Sequence, residues 1–350
     1  MFFSKQREVV GIDIGSSSVK LVQMMAQKDS YVLQHVGIAP LPPEAIVDNT
    51  LMDSSSIVEV LNNLLDGLDI RAKDAACSVS GNAVIIRKIS LPAMPQDELE
   101  DQIQWEAEQY IPFDINDVNM DFQILASDEN DPSKMNVLLV ASKKDIINDY
   151  LSVFNETGLR LTVVDVDAFA VQNAFELNYE VPPGEVIALI NIGASVMNMN
   201  ILKDGASLFT RDVQMGGNLF TEELQKQFGI SSEEAEQLKI TGNAPDPERY
   251  RETISRVNET LALEMRRSLD FYNSTAGDER IARIYLSGGC SKTAMLTDVV
   301  SQRLGIPAEI LNPFQKIAYN EKDFDTDYLM EIGPLATVAM GLATRRLGDK

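Results

Sequence analysis

The feature that most constrains the fold is a hairpin signature written twice. Val9 to Gln23 reads Val-Val-Gly-Ile-Asp-Ile-Gly-Ser-Ser-Ser-Val-Lys-Leu-Val-Gln. An apolar run (Val9, Val10, Ile12, Ile14) breaks at Gly15 and three serines, then resumes at Val19, Leu21 and Val22. Two β-type runs around a glycine-led turn read as a hairpin. Val186 to Ser195 repeats the design, with Asn191 in the place of Asp13, Gly193 in that of Gly15 and Ser195 in that of Ser17. A strand (196–202) and a Lys203-Asp204-Gly205 turn complete the second copy. Such self-similarity predicts a duplicated α/β fold whose two turns face each other across a cleft.

Each turn has the chemistry of an anion clamp. Gly15 lets backbone approach a ligand, and the N–H groups and hydroxyls of Ser16, Ser17 and Ser18 can line an anion-binding concavity. Lys20 adds a positive charge, and Asp13 can hold a metal ion through water. For one such turn alone, an ordinary surface hairpin is the better account of the pattern. Three further pieces suit a nucleotide cleft. Gly216-Gly217 leads into a helix, Glu236 and Lys239 share a helical face suited to ribose hydroxyls, and Gly288-Gly289 follows a strand where adenosine can lie flat. Their plain counterparts are a solvated ion pair and strand-to-helix turns.

Between the repeats, 84–161 reads as strand, helix, strand, strand, helix, strand, an α+β unit of roughly 75 residues. Its first helix, expected over 97–110, carries Leu99, Ile103, Ala107 and Tyr110 on one face and Glu98, Asp101 and Glu108 on the other. Trp105 is expected at the edge of the core. Ser54, Ser55 and Ser56 are expected to cap the helix that follows the opening strands.

Bulk properties exclude several functions. The net charge of −23 over 350 residues argues against nucleic acid and anionic membranes as direct partners. It suits a partner with a basic segment. One histidine, His35, leaves little material for a Ser-His-Asp triad or a histidine-rich metal site, and two distant cysteines, Cys77 and Cys290, suit a reducing compartment. The N-terminus lacks a signal-peptide core, and no apolar run approaches the ~20 residues of a membrane span. A cytoplasmic protein is expected, with any membrane contact made through a partner or through Phe2 and Phe3.

The set Gly-Ile-Asp-Ile-Gly-Ser-Ser-Ser-Val-Lys, Asn-Ile-Gly-Ala, Ala-Glu-Gln-Leu-Lys and Leu-Ser-Gly-Gly resembles the actin-like ATPase superfamily. The terminal Gly333 to Ala343, with small residues at 336, 339 and 343, resembles its hinge helix. Trp105 with Tyr110-Ile111-Pro112-Phe113, and Arg267-Ser-Leu-Asp-Phe-Tyr272, resemble the PilM family of type IV pilus assembly proteins within it. The resemblance covers nearly the whole chain. It implies a duplicated actin-like (ribonuclease H-like) α/β fold with an inserted α+β subdomain of the kind shared with FtsA. The implied divisions are 8–83, 162–182 and the returning hinge helix at 324–350 for domain I, and the insert at 84–161. Domain II takes 185–220 and 281–323, with a helical subdomain at 221–280.

The resemblance further implies a cytoplasmic, ATP-binding scaffold at the inner membrane. It would bind the N-terminal cytoplasmic tail of PilN beside the insert, and through it meet PilO, PilP and the pilus motor ATPases. Asp13 would organise magnesium through water. Gly15, Ser16, Ser17, Lys20, Gly193 and Ser195 would hold phosphates, and Glu236, Lys239, Gly288 and Gly289 would face ribose and adenine. Asp167 stands where the superfamily often keeps a water-positioning residue, and where a helix N-cap is also expected. Asn191 replaces the usual aspartate and brings no charge, so hydrolysis is expected to be slow or absent. An FtsA-like division protein would need a further linker and amphipathic helix after the hinge helix, and a small-molecule kinase a base carboxylate beside a substrate pocket. Neither is evident.

Overall fold

Two five-stranded sheets with the same strand order carry the chain. The computed structural model describes residues 9–346 and 348, except 29, 128–130, 132 and 276–278. Phe2, Phe3 and most of the polar loop before Lys134 lie outside the described residues. The first stretch forms β1 (Val9–Ile14), β2 (Ser18–Gln27), β3 (Ser30–Pro40), a ribbon of β4 (Ile46–Val47) and β5 (Thr50–Leu51), α1 (Ser54–Gly67) and β6 (Asp74–Val79). Then come β7 (Val84–Pro92), α2 (Gln96–Ala107), β8 (Val118–Ser127), β9 (Lys134–Lys143), α3 (Lys144–Glu156), β10 (Arg160–Val166) and α4 (Asp167–Asn178). The second half forms β11 (Val186–Ile192), β12 (Met197–Lys203), β13 (Ala206–Val213), α5 (Asn218–Phe228), α6 (Ser232–Thr241) and α7 (Pro247–Thr275). It ends with β14 (Ile281–Ser287), α8 (Leu296–Leu304), β15 (Ala308–Ile310) and α9 (Thr326–Leu342).

The sheet orders are β10-β6-β1-β2-β3 and β15-β14-β11-β12-β13. In each, the opening strand pairs antiparallel with the next and parallel with the strand after the helical excursion. Alternation then sorts the side chains. Val10, Ile12 and Ile14 pack into a core with α1 and α3, while Val9 turns to the junction between the sheets. In β11, Val186, Ala188, Ile190 and Ile192 enter the core under α5, α6, α7 and α8, whereas Ile187 and Leu189 face the junction. Asp13 and Asn191 share the parity of Val9 and Ile187, so the same rule turns both toward the space between the lobes.

Helices α4 and α9 fill that junction. Ala170, Val171 and Phe175 of α4 pack with Val338 and Leu342 of α9 and with both sheets. Small residues permit this: a Cβ on Gly341 would stand 1.8 Å from the Ala170 carbonyl oxygen, and one on Gly11 would stand 2.1 Å from that of Ala339. The terminal helix packs against β1 and β2 of the first sheet, and at Gly341 it lies tightly against α4.

Four local expectations are corrected. The α1 cap is Asp53, whose carboxylate accepts the Ser56 N–H, and the serines lie inside the first turn. Helix α2 stops at Ala107, so Tyr110 lies beyond it and is exposed. Trp105 is 73% exposed and is not a core-edge residue, because Leu99, Ile103 and Ala107 already cover the three-stranded sheet β7-β9-β8. Finally, α3 and β10 pack with the first sheet through Tyr150, Val153 and Phe154. On packing we therefore end the inserted unit at Lys143 and not at 161.

Candidate functional site: a cleft between two facing turns

The two hairpin turns meet across one cleft. Its walls include Asp13, Gly15, Ser16, Ser17, Lys20 and Asp167 from the first lobe and Asn191, Gly193 and Ser195 from the second. Each turn closes on itself in the same way: Gly15 N–H donates to the Ser18 carbonyl at 3.1 Å, and Gly193 N–H to that of Val196 at 2.9 Å. The Ser195 hydroxyl donates to Ser16 Oγ at 2.8 Å, so the turns touch. Serine hydroxyls, an ammonium and turn backbone make a donor set that fits a phosphate chain.

Hairpin register explains the side-chain partners. Asp13 lies opposite Lys20, and the Lys20 ammonium stands 3.3 Å from Asp13 Oδ2 while donating to the Ser18 carbonyl at 3.2 Å. In the second copy Asn191 lies opposite Asn198, and Asn191 Nδ2 donates to Asn198 Oδ1 at 3.1 Å. An ion pair in one lobe is thus an amide pair in the other. The loss of the acid at 191 is accompanied by loss of the base at its partner position. Counting back across the turn from Asn191 would have found Asn198 in the sequence.

Asp167 is the first residue of α4. Val166 holds the cap position, and no side chain caps the helix there. The Asp167 carboxylate accepts the Ser78 hydroxyl at 2.5 Å. Burial, then the negative charge of Asp13, push its pKa up to about 6, against the hydrogen bonds from Ser78 and Ser80. A carboxyl bound more tightly to its proton in the native state lowers stability as pH rises from its unfolded value near 4 through about 6, with no further change above. Asp167→Asn should therefore be more stable than the parent above pH 6, by up to about 3 kcal/mol, and equal it near pH 4. Urea titrations across this range check the sign, and a difference that grows toward acid pH would be the wrong one.

The base-side glycines serve packing in this structure. A Cβ on Gly288 would stand 2.3 Å from the Ile192 carbonyl, and the Gly288 N–H donates to the Pro334 carbonyl at 2.7 Å. A Cβ on Gly216 would stand 2.4 Å from the Gly193 carbonyl, while the Gly217 and Asn218 N–H groups donate to the carbonyls of Gly193 and Ala194 at 2.9 and 2.8 Å. These N–H groups brace the second turn. Glu236 and Lys239 pair at 2.6 Å, and both bond Thr221 of α5, at 2.7 and 3.1 Å. They form a network between α5 and α6, not a solvated pair. Gly216, Gly217, Glu236, Lys239, Gly288 and Gly289 do not line the cleft around the turns, whereas Asn49, Ser78, Ser80, Tyr150 and Asn198 do. Tyr150 reads in the sequence only as part of an apolar helix face; it is buried, and burial raises its phenol well above the usual value.

Among the described residues, no group of three or more His, Cys, Asp or Glu side chains is placed to hold a metal ion. No helix among them is long and apolar enough to cross a membrane.

Residues 11–347 match the family described as type IV pilus assembly protein PilM. A chain of the PilM–PilN type IV pilus biogenesis complex superposes with a TM-score of 0.88 at 30% identity, covering 97% of this chain and 98% of that one. FtsA of Bacillus subtilis (strain 168) is 24% identical over 253 residues, which span 66% of this chain and 57% of FtsA, short of two thirds of its length. MreB5 of Spiroplasma citri, in a structure bound to ADP, gives a TM-score of 0.52 at 12% identity over 96% of this chain and 95% of its own, a likeness of fold alone. A doubled hairpin sheet, a helix pair between the sheets and an inserted α+β unit all fall inside one match that runs almost end to end, and the chain belongs to the PilM family of type IV pilus assembly proteins, on the actin-like ATPase fold.

Proposed function

We propose that this chain is a nucleotide-binding scaffold of the type IV pilus machinery that docks the N-terminal cytoplasmic tail of PilN. The observation that carries the reading is the near-complete match to a chain of the PilM–PilN complex. Through PilN the scaffold would sit peripherally at the inner membrane and connect PilO and PilP with the pilus motor ATPases. The exposed acidic side chains of α2 (Glu98, Asp101) and of its C-cap Glu108, with the bare Trp105 ring beside them, suit a tail with basic residues. An extended tail in the groove beside the inserted unit would gain affinity from main-chain bonds and side-chain pockets.

ATP is the ligand proposed for the cleft. Ser16, Ser17, Lys20 and Ser195 would hold its phosphates, with Gly15 and Gly193 giving the turns their close approach. Asp13 would hold a magnesium ion through water, and the ion would supply positive charge to offset that of the phosphates. Asp167, held by Ser78 near Asp13, is the candidate to orient a water. Asn191 brings no negative charge to the opposite side, so the residues favour holding ATP over cleaving it.

Titrating a synthetic PilN N-terminal peptide into the chain, with and without ATP and magnesium, should show saturable binding in at least one condition. No binding in either would remove the pilus-scaffold reading. In a phosphate-release assay, turnover well above about one per minute, toward ordinary enzyme rates, would overturn slow hydrolysis.

A further inference from the structure

Four side chains line up across four strands of the second sheet, and the middle two, Asn191 and Asn198, line the cleft. Ser287 on β14, Asn191 on β11, Asn198 on β12 and Asp212 on β13 are register neighbours. Ser287 Oγ donates to Asn191 Oδ1 at 3.2 Å, Asn191 Nδ2 to Asn198 Oδ1 at 3.1 Å, and Asn198 Nδ2 to Asp212 Oδ1 at 2.8 Å. The other Asp212 oxygen accepts the N–H of Gly81, which belongs to the first lobe. Ser287, Asn191 and Asn198 are buried.

The direction of this relay is forced by donor and acceptor chemistry. An ionised carboxylate only accepts. Asn198 must therefore turn its nitrogen to Asp212 and its oxygen to Asn191. Asn191 must answer with its own nitrogen, which sends its oxygen toward Ser287. A carboxylate at 191 has no place in such a chain. It would face either the Asn198 oxygen or, with Asn198 flipped, force that oxygen onto Asp212.

We propose that Asp212 is the positioning residue of this cleft: relayed through Asn198, its charge dictates an amide at 191, aims that amide's oxygen at Ser287, and so leaves Asp13 as the one turn carboxylate facing a metal-bound nucleoside triphosphate. The metal-binding part of the inference rests on the nucleotide reading above, whereas the relay itself does not. Moving the acid should reverse the relay without loss. With Asp at 191 and Asn at 212, Ser287 and Asn198 donate to 191, the new amide at 212 donates to Asn198, and Gly81 still finds an oxygen.

The test is a double-mutant cycle on the full chain with Asn191→Asp, Asp212→Asn and both together. The single Asn191→Asp should lower the melting temperature by about 5 °C, or fail to fold, because two buried acceptors face each other. The double variant should return to within about 2 °C of the parent, a coupling that independent sites do not show. Additive shifts would overturn the relay, whatever the nucleotide does. The second readout is binding of a fluorescent ATP analogue in magnesium and in EDTA. Parent affinity should differ less than about threefold between the two, and the double variant should differ by about tenfold or more, the effect of one further carboxylate on the metal. Unchanged metal dependence in a chain that binds the analogue would overturn the positioning role. A coupled cycle in a chain that binds no nucleotide would uphold the relay and remove the nucleotide reading.

Discussion

Gly341→Ala should cost about 3 kcal/mol or more, and Gly341→Val should leave little folded chain, because the obstacle is backbone and cannot rotate away. The added Cβ would meet the Ala170 carbonyl at 1.8 Å, so α9 would have to lift from α4 along the junction that both sheets share. Ala339, opposite Gly11 on the same helix, would be dragged with it. Gly67 is the control. A Cβ there meets nothing within 4 Å, and in the last turn of α1 alanine should be neutral or stabilising by up to about 1 kcal/mol. Chemical denaturation of the three variants checks both signs, and an unaffected Gly341→Ala would mean that α4 and α9 can part freely.

Lys20→Ala should weaken ATP binding by about 30-fold, near 2 kcal/mol, the size of a charge-assisted contact to phosphate. The fold should lose far less, since the ion pair with Asp13 spans two neighbouring strands already joined by their backbone. What is lost comes from leaving Asp13 without its cation close to Asp167. Adding Asp13→Ala should therefore recover thermal stability and leave the nucleotide affinity low. If affinity and stability instead recover together, Lys20 serves only to neutralise Asp13, and the phosphate role falls. Fluorescent nucleotide titration beside melting curves separates the two.

Much of the architecture was legible because it is written in short-range periodicities. Val9 to Gln23 and Val186 to Ser195 announce their strands by alternation and their turns by glycine, and both hairpins form with the expected turns. The acidic face around α2 was readable from helical spacing, and Glu98, Asp101 and the C-cap Glu108 are exposed. What stayed hidden depends on which surface meets which. The spacing of Tyr150, Val153 and Phe154 shows an apolar face but cannot say that it covers the first sheet and not the inserted one. Trp105 is large and apolar, and only the assembled unit reveals that its neighbours leave it nothing to cover. Glu236 and Lys239 were visible as a pair, while Thr221, which ties them to the preceding helix, comes from a different element. Asp212 was missed outright, because no local pattern distinguishes a relay carboxylate from any other strand-edge aspartate.

The brace behind the second turn has a mechanical consequence. Gly217 and Asn218 hold the backbone of Gly193 and Ala194, and they open α5, which packs through Phe220 and Leu224 against Ile254, Val257 and Leu261 of α7. With 29 residues, α7 is a rod of about 43 Å at 1.5 Å per residue. If the turn tilts by about five degrees and carries this rod with it, the far end sweeps about 4 Å, short of the ~5.4 Å pitch of one helical turn but more than half of it. A displacement at the turn too small to alter any contact in the cleft would then arrive at the rim of the molecule as a step large enough for a neighbouring protein to feel.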